Sequence, residues 1–136
     1  MKNGFYTALG TPLTEDGRVV EESLIRHIEQ QIEIGAFGLL LMGSMGKEAY
    51  IMNSEYPKIV DIAVKTVDGR IPLFVGAMDN SIARVMEKIN SIGPGKKIDG
   101  IVLTVPFYGV PTVKDAICWF TAIADKSPYP DRKSVV

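Results

Sequence analysis

The segment GSMGKE, residues 43–48, sets a hydroxyl, a lysine and a carboxylate in a glycine-bracketed turn directly after the apolar run FGLLLM. Such a turn can hold a phosphate, hold a carboxylate, or hold nothing. A phosphate loop ends in Gly-Lys, as Gly46-Lys47 does, but it also needs a glycine five positions before Gly46 and a serine or threonine after the lysine. Those positions are Leu41 and Glu48. The metal-binding hydroxyl is absent and a carboxylate stands where it would repel phosphates, so ATP or GTP binding is not expected. A carboxylate suits the turn better. Successive backbone N–H groups in a tight glycine turn converge on an anion, and the Ser44 hydroxyl adds one donor. This matches a small, singly charged acid. The third reading is an ordinary strand-to-helix turn whose glycines serve geometry alone. Spacing leaves these last two readings open.

The other residues that carry chemistry are scattered. Lys47 is an amine at a strand end, but a nucleophilic lysine must be deprotonated by desolvation or by a cationic neighbour. Glu48 beside it favours the charged form instead, so Lys47 is expected on the surface and solvated. The lone histidine, His27, lies in the charged stretch RHIEQQ, away from the strand ends. Asp79 and Asn80 have the character of turn and capping residues. No His, Cys and Asp cluster has metal-ligand spacing and no Ser–His pairing is suggested, so no metal site is expected.

Strand-like and helix-like segments alternate around the turn. FYTAL (5–9), FGLLLM (37–42), PLFVGA (72–77) and GIVLTV (100–105) are apolar runs of strand length. Continuous runs of this kind are buried on both faces in parallel sheets. Between them lie helical stripes: Val20, Leu24, Ile28 and Ile32; then Tyr56, Val60, Ala63 and Val67; then Ile82, Val85, Met86 and Ile89; finally Val113, Ala116, Ile117, Phe120 and Ala124. Gly35 stands where the first helix would stop on a left-handed residue. Asn53 and Ser54 are placed to cap the second helix. Strands begin near residues 5, 37, 72 and 100, a period of roughly 30 residues, which describes βα units with parallel strands.

Two architectures use that repeat, an open doubly wound sheet and a closed (β/α) barrel. A dinucleotide-binding sheet carries its glycine fingerprint after the first strand. Here the first strand ends in GTP, and GSMGKE, GAMDN and VPFYG mark the next three. Chemistry on several strand ends predicts the barrel.

Composition agrees with a globular α/β chain. Of 136 residues, 46% are hydrophobic and 23% charged, and the net charge is −1. No basic field argues for nucleic acid or an anionic membrane. No run reaches the roughly 18 apolar residues of a membrane span, and MKNGFYTALG does not read as a secretory leader. The single cysteine, Cys118, cannot form an internal disulfide, which predicts a reducing, cytoplasmic location.

TALGTPLTEDGRVV, GSMGKE, RIPLFVGAMDN and DGIVLTVPFYGVP, in that order, resemble the dihydrodipicolinate synthase/N-acetylneuraminate lyase family. The resemblance runs from about Phe5 to Pro130. It implies a (β/α)8 TIM barrel and a class I aldolase-type lyase that acts on pyruvate or another 2-oxo acid through a lysine Schiff base. The lysine supplies the electron sink, so no cofactor is implied. The family turn usually reads G-T-T-G-E or G-S-T-G-E and binds the pyruvate carboxylate. Gly43, Ser44 and Gly46 match it, and Ser44 keeps a hydroxyl that also joins a proton relay. Met45 keeps its backbone N–H but has no hydroxyl. Lys47 replaces the usual Glu, with Glu48 one residue later. The resemblance therefore gives Gly43, Ser44 and Met45 as substrate-binding residues. The family's P-Y-Y appears as Pro106-Phe107-Tyr108, and Tyr108 matches a catalytic tyrosine that reaches into the neighbouring subunit's site. Taken as a residue alone, Tyr108 reads as a half-buried aromatic at a strand end. The resemblance also implies a homo-oligomer, dimer or tetramer.

The Schiff-base lysine of the family lies on the sixth strand and a further relay tyrosine ends the fifth; neither has a counterpart in these 136 residues. A fifth strand should begin near Tyr129-Pro130. The polar stretch Asp131 to Ser134 is not expected to make a buried barrel strand. DRKSVV also matches one reading frame of a sequencing adapter. Residues 1–130 are thus expected to be about four βα units of a barrel, and 131–136 a non-native tail. Two functions follow: a pyruvate aldolase-type lyase in a full-length parent, or an inactive half-barrel able only to associate.

Overall fold

The computed structural model describes residues 4–133. Five strands, β1 (Tyr6–Ala8), β2 (Gly38–Leu41), β3 (Leu73–Gly76), β4 (Gly100–Leu103) and β5 (Asp131–Lys133), form one sheet in the order β1-β2-β3-β4-β5. Every pairing is parallel, with Tyr6 opposite Gly38, Leu40 opposite Phe74, and Val75 opposite Ile101. Four helices connect them: α1 (Glu21–Glu33), α2 (Tyr56–Val67), α3 (Ile82–Ser91) and α4 (Val113–Ala124).

Strictly sequential order decides between the two architectures. Parallel crossovers share one hand, so a sheet that never reverses its order puts all its helices on one face. The burial pattern agrees. Leu39, Leu41, Leu73, Val75, Ile101 and Leu103 share a core cluster with Leu24 and Ile28 of α1, Ile59, Val60 and Ala63 of α2, and Val85 and Ile89 of α3. The alternate positions, Leu40, Phe74 and Val102, lie outside that cluster. The chain has the architecture of a (β/α)8 TIM barrel, of which it holds four βα units and a fifth strand.

Three expectations are corrected. α4 presents Ala116, Trp119, Phe120 and Ile123 to the core, while Val113 and Ile117 are 79% and 61% exposed and Ala124 is exposed. Trp119 fixes this rotation, because its indole N–H donates to the Thr104 carbonyl at 3.0 Å. Asn53 and Ser54 do not cap α2: its N-cap is Glu55, with no side-chain cap bond. Caps occur instead at Ser81, which accepts from the Arg84 amide, and in the reciprocal Thr112/Asp115 box of α4. Finally, Asp131–Lys133 does pair as a strand. The free edge of β4 supplies backbone partners whatever the side chains are, and the Ile101 N–H already donates to Pro130 at 2.8 Å. Residues 134–136 of the expected tail lie outside the described residues.

Candidate active site

The loops at the C-terminal ends of β2, β3 and β4 meet around a cleft of about 400 Å³ lined by residues that include Ser44, Lys47, Glu48, Met78, Thr104 and Phe107. The β2 loop turns sharply because two non-glycine residues, Met42 (φ +50) and Lys47 (φ +54), adopt the left-handed conformation, which costs of order 1 kcal/mol each. Between them, the Lys47 N–H donates to the Ser44 carbonyl at 3.1 Å and the Glu48 N–H to the Gly43 carbonyl at 3.4 Å. Gly46 lies so close to the backbone that a Cβ there would stand 2.9 Å from the Leu9 carbonyl oxygen and from Met42 Cα. Among the described residues, the amides of Ser44, Met45 and Gly46 donate to no backbone carbonyl or side chain. Consecutive N–H groups without a partner in a tight turn are the donors from which an anion site can be built.

Beneath the turn lies a buried ion network. Glu48 does not serve Lys47. Its side chain is 2% exposed and accepts from Lys88 Nζ at 2.6 Å through Oε1, while Oε2 is buried without a partner. Lys88, from α3, also donates to the Met78 carbonyl at 2.7 Å and lies 3.2 Å from Asp79 Oδ2. Asp79 accepts in addition from Arg84 Nε at 2.9 Å and from the Asn80 N–H at 2.7 Å. Asn80 Oδ1 then accepts from the N–H groups of Phe107 and Tyr108 at 2.8 and 2.9 Å. One chain of contacts therefore joins the loops of all three strands.

The two carboxylates in the network are tuned in opposite directions. Burial pushes the Glu48 carboxyl up, only partly offset by Lys88. Burial also acts upward on Asp79, but hydrogen bonds from Arg84, the Asn80 N–H and Lys88 overrule it and hold that carboxyl down. Tyr56 is fully buried and donates to the Gly76 carbonyl at 2.7 Å; burial, then the Glu48 charge, pushes its phenol well above the ordinary value.

Ser44 lines the cleft, and Gly43 and Met45 flank it in the turn. Tyr108 is 95% exposed and is not among the cleft residues; nor is it the half-buried aromatic that its position alone suggested. Lys47 is exposed at the cleft wall, as expected. His27 is half-buried and less remote than expected, its Cε1 standing 3.8 Å from the place of a Cβ on Gly10, just after β1. Asp79 and Asn80 are loop ties, with the capping done by Ser81. Sequence reasoning missed Lys88. Its signal is a lysine three residues after Val85 and next to Ile89, on the apolar stripe of α3. Among the described residues no group of three or more His, Cys, Asp or Glu is placed to hold a metal ion.

The family model of the dihydrodipicolinate synthetase family matches residues 1–131. The chain belongs to that family. It is 34% identical over 133 residues to 4-hydroxy-tetrahydrodipicolinate synthase of Acidiphilium cryptum, covering 96% of this chain and 44% of that protein. The chloride-inhibited dihydrodipicolinate synthase of Acinetobacter baumannii in complex with pyruvate superposes with a TM-score of 0.89 at 26% identity, covering 98% of this chain and 45% of the other. YagE, a prophage protein of the dihydrodipicolinic acid synthase family from E. coli K12, also in complex with pyruvate, gives 0.88 at 25% identity, with 98% and 44% covered. The chain thus spans a little under half the length of these dihydrodipicolinate synthetase family members.

Proposed function

We propose that these residues are part of a pyruvate- or 2-oxo-acid-dependent aldolase-type lyase, and that the β2 turn is its carboxylate site. The observation that carries this is the run of three free amides, Ser44 to Gly46, beside the cleft. A carboxylate seated there would take hydrogen bonds from backbone N–H groups and from the Ser44 hydroxyl. Donors fixed by the backbone need no reorganisation when the acid binds or when charge develops on it. The pyruvate complexes of the A. baumannii and E. coli family members support the same substrate class.

The carbon–carbon step in this proposal runs through a lysine Schiff base. Among the described residues Lys47 is the only lysine that lines the cleft; it is exposed, not in the desolvated pocket that a nucleophilic lysine occupies. The reactive lysine is therefore assigned to a later strand of a longer protein. Tyr108, 95% exposed beside the exposed Phe107 and Val110, is assigned as a proton relay to the site of a partner copy. Cys118, the one cysteine, is exposed as a free thiol, which favours a reducing cytoplasm.

Titrating the isotope-labelled chain with pyruvate tests the carboxylate site. Amide resonances of Ser44, Met45 and Gly46 should shift together and saturate. Ser44→Ala should weaken binding roughly tenfold to a hundredfold, the worth of one hydrogen bond to a charged group. Amides that stay in place at every pyruvate concentration would return the turn to a purely structural role.

A further inference from the structure

We propose that Lys88 is a positioning residue that holds the anion-binding turn of β2 and the tyrosine loop of β4 in one arrangement. The inference rests on the pyruvate reading for its purpose, but its geometry stands independently. Lys88 is itself 8% exposed and is not among the residues lining the cleft. It sits below the cleft, where its ammonium donates to Glu48 Oε1 at 2.6 Å and to the Met78 carbonyl at 2.7 Å, with Asp79 Oδ2 at 3.2 Å. Glu48 closes the cradle, one residue after the left-handed Lys47, and its N–H donates to the Gly43 carbonyl. Fixing the Glu48 side chain from below therefore fixes the end of the turn.

The opposite arm runs through Asp79. Its Oδ1 holds the Asn80 N–H, and Asn80 Oδ1 holds the Phe107 and Tyr108 amides. Lys88 is the only side chain among the described residues that contacts both the β2 and the β3 loop carboxylates. Arg84 touches Asp79 alone among the ion pairs. The arrangement also solves a charge problem. Glu48 lines a cleft proposed to take an anion, and an uncompensated carboxylate there would repel it; Lys88 supplies the neutralising charge at hydrogen-bond distance.

Tether and charge compensation separate in a pair of variants. Lys88→Met keeps the length of the side chain but removes both the tether and the charge. Combining it with Glu48→Leu removes the tether without leaving a lone carboxylate, and such apolar replacement of a buried pair is often tolerated. Positioning predicts that both variants bind pyruvate roughly tenfold or more weakly while keeping dispersed spectra. It also predicts that, without ligand, both lose hydrogen-exchange protection at the Phe107 and Tyr108 amides, some 20 residues away in sequence. Recovery of wild-type affinity in the double variant would reduce Lys88 to a counter-charge and overturn the proposal. Unchanged protection at Phe107 and Tyr108 would overturn it too, and that readout holds even if the wild-type chain shows no pyruvate shift, a result that would count against the carboxylate site alone. Collapse of spectral dispersion in both variants would make Lys88 a determinant of the fold rather than of the turn, and would equally sink it.

Discussion

Glu48 and Asp79 sit in one network, yet their charges act on stability with opposite pH dependence. The Asp79 carboxyl is held below its ordinary value once the bonds from Arg84, Asn80 and Lys88 outweigh burial. Its contribution is therefore present above the ordinary carboxylate value and is lost as pH falls through the depressed one. The Glu48 carboxyl is held up by burial; its contribution is largest below the ordinary value and is lost as pH rises through the raised one. Asp79→Asn should separate the two. At neutral pH it should cost on the order of 1–3 kcal/mol, the loss of a charge-assisted hydrogen bond with Lys88 and Arg84 left in place. Chemical unfolding from neutral pH down to about pH 3 should show the gap between wild type and variant closing as Asp79 takes up its proton. A gap that stays constant over that range would mean that shape, not charge, makes Asp79 matter.

At the scale of elements, much was legible because the signals are local. A four-residue recurrence from Val20 to Ile32 gave α1, with Leu24 and Ile28 fully buried and Gly35 following at φ +85. The strand runs and their spacing gave β1 to β4. The phase of α4 was not legible: Val113, Ala116, Ile117 and Phe120 make as good a stripe as Ala116, Trp119, Phe120 and Ile123, and a tertiary bond from Trp119 to Thr104 decides between them. The pairing of Asp131–Lys133 was illegible for the same reason, since it depends on a β4 edge rather than on side-chain pattern. In the site, GSMGKE was readable as a tight turn at a strand end, but the Glu48–Lys88 bridge spans 40 residues and only the odd lysine on an apolar stripe hints at it. The contact between β3 and the β2 loop shows how tightly such tertiary features constrain an element. A Cβ on Gly76 would lie 2.0 Å from the Met42 carbonyl oxygen, and the same glycine's carbonyl accepts from the buried Tyr56 hydroxyl. Gly76→Ala should thus cost on the order of 1–3 kcal/mol, as overpacking does. Gly109→Ala, where nothing lies within 4 Å, should stay within about 0.5 kcal/mol of wild type. Equal losses in urea unfolding at the two positions would show that the close approach to Met42 is not maintained in solution.

The whole molecule carries the consequence of sequential strand order. All four crossovers place their helices on one face, and the sheet has two edges, at β1 and β5. A closed barrel removes both edges and fills its interior with side chains from every strand. Here the face away from the helices carries Tyr6, Leu40, Phe74 and Val102, with Tyr6 packed edge-on against Phe74 at 5.8 Å between ring centres. That face is half-buried to buried, whereas Phe107, Tyr108, Val110, Val113 and Ile117 expose apolar surface along the β4 loop and α4. Parallel edges with unused backbone groups recruit further strands, and apolar surface of this extent drives association. The 136-residue chain should therefore not persist as a monomer: it should pair with a second copy or aggregate. The helix side, with Leu24, Ile28, Ile59, Val60 and Val85 at 0–1% exposure, should keep its helices through this association. Size-exclusion chromatography with light scattering should show species of at least twice the monomer mass across micromolar concentrations, with helical far-ultraviolet dichroism retained. A sharp monomer peak that melts cooperatively, with strong near-ultraviolet dichroism, would show instead that four βα units and a fifth strand close a self-sufficient domain, and that its strand edges and the exposed residues of the β4 loop and α4 need no partner.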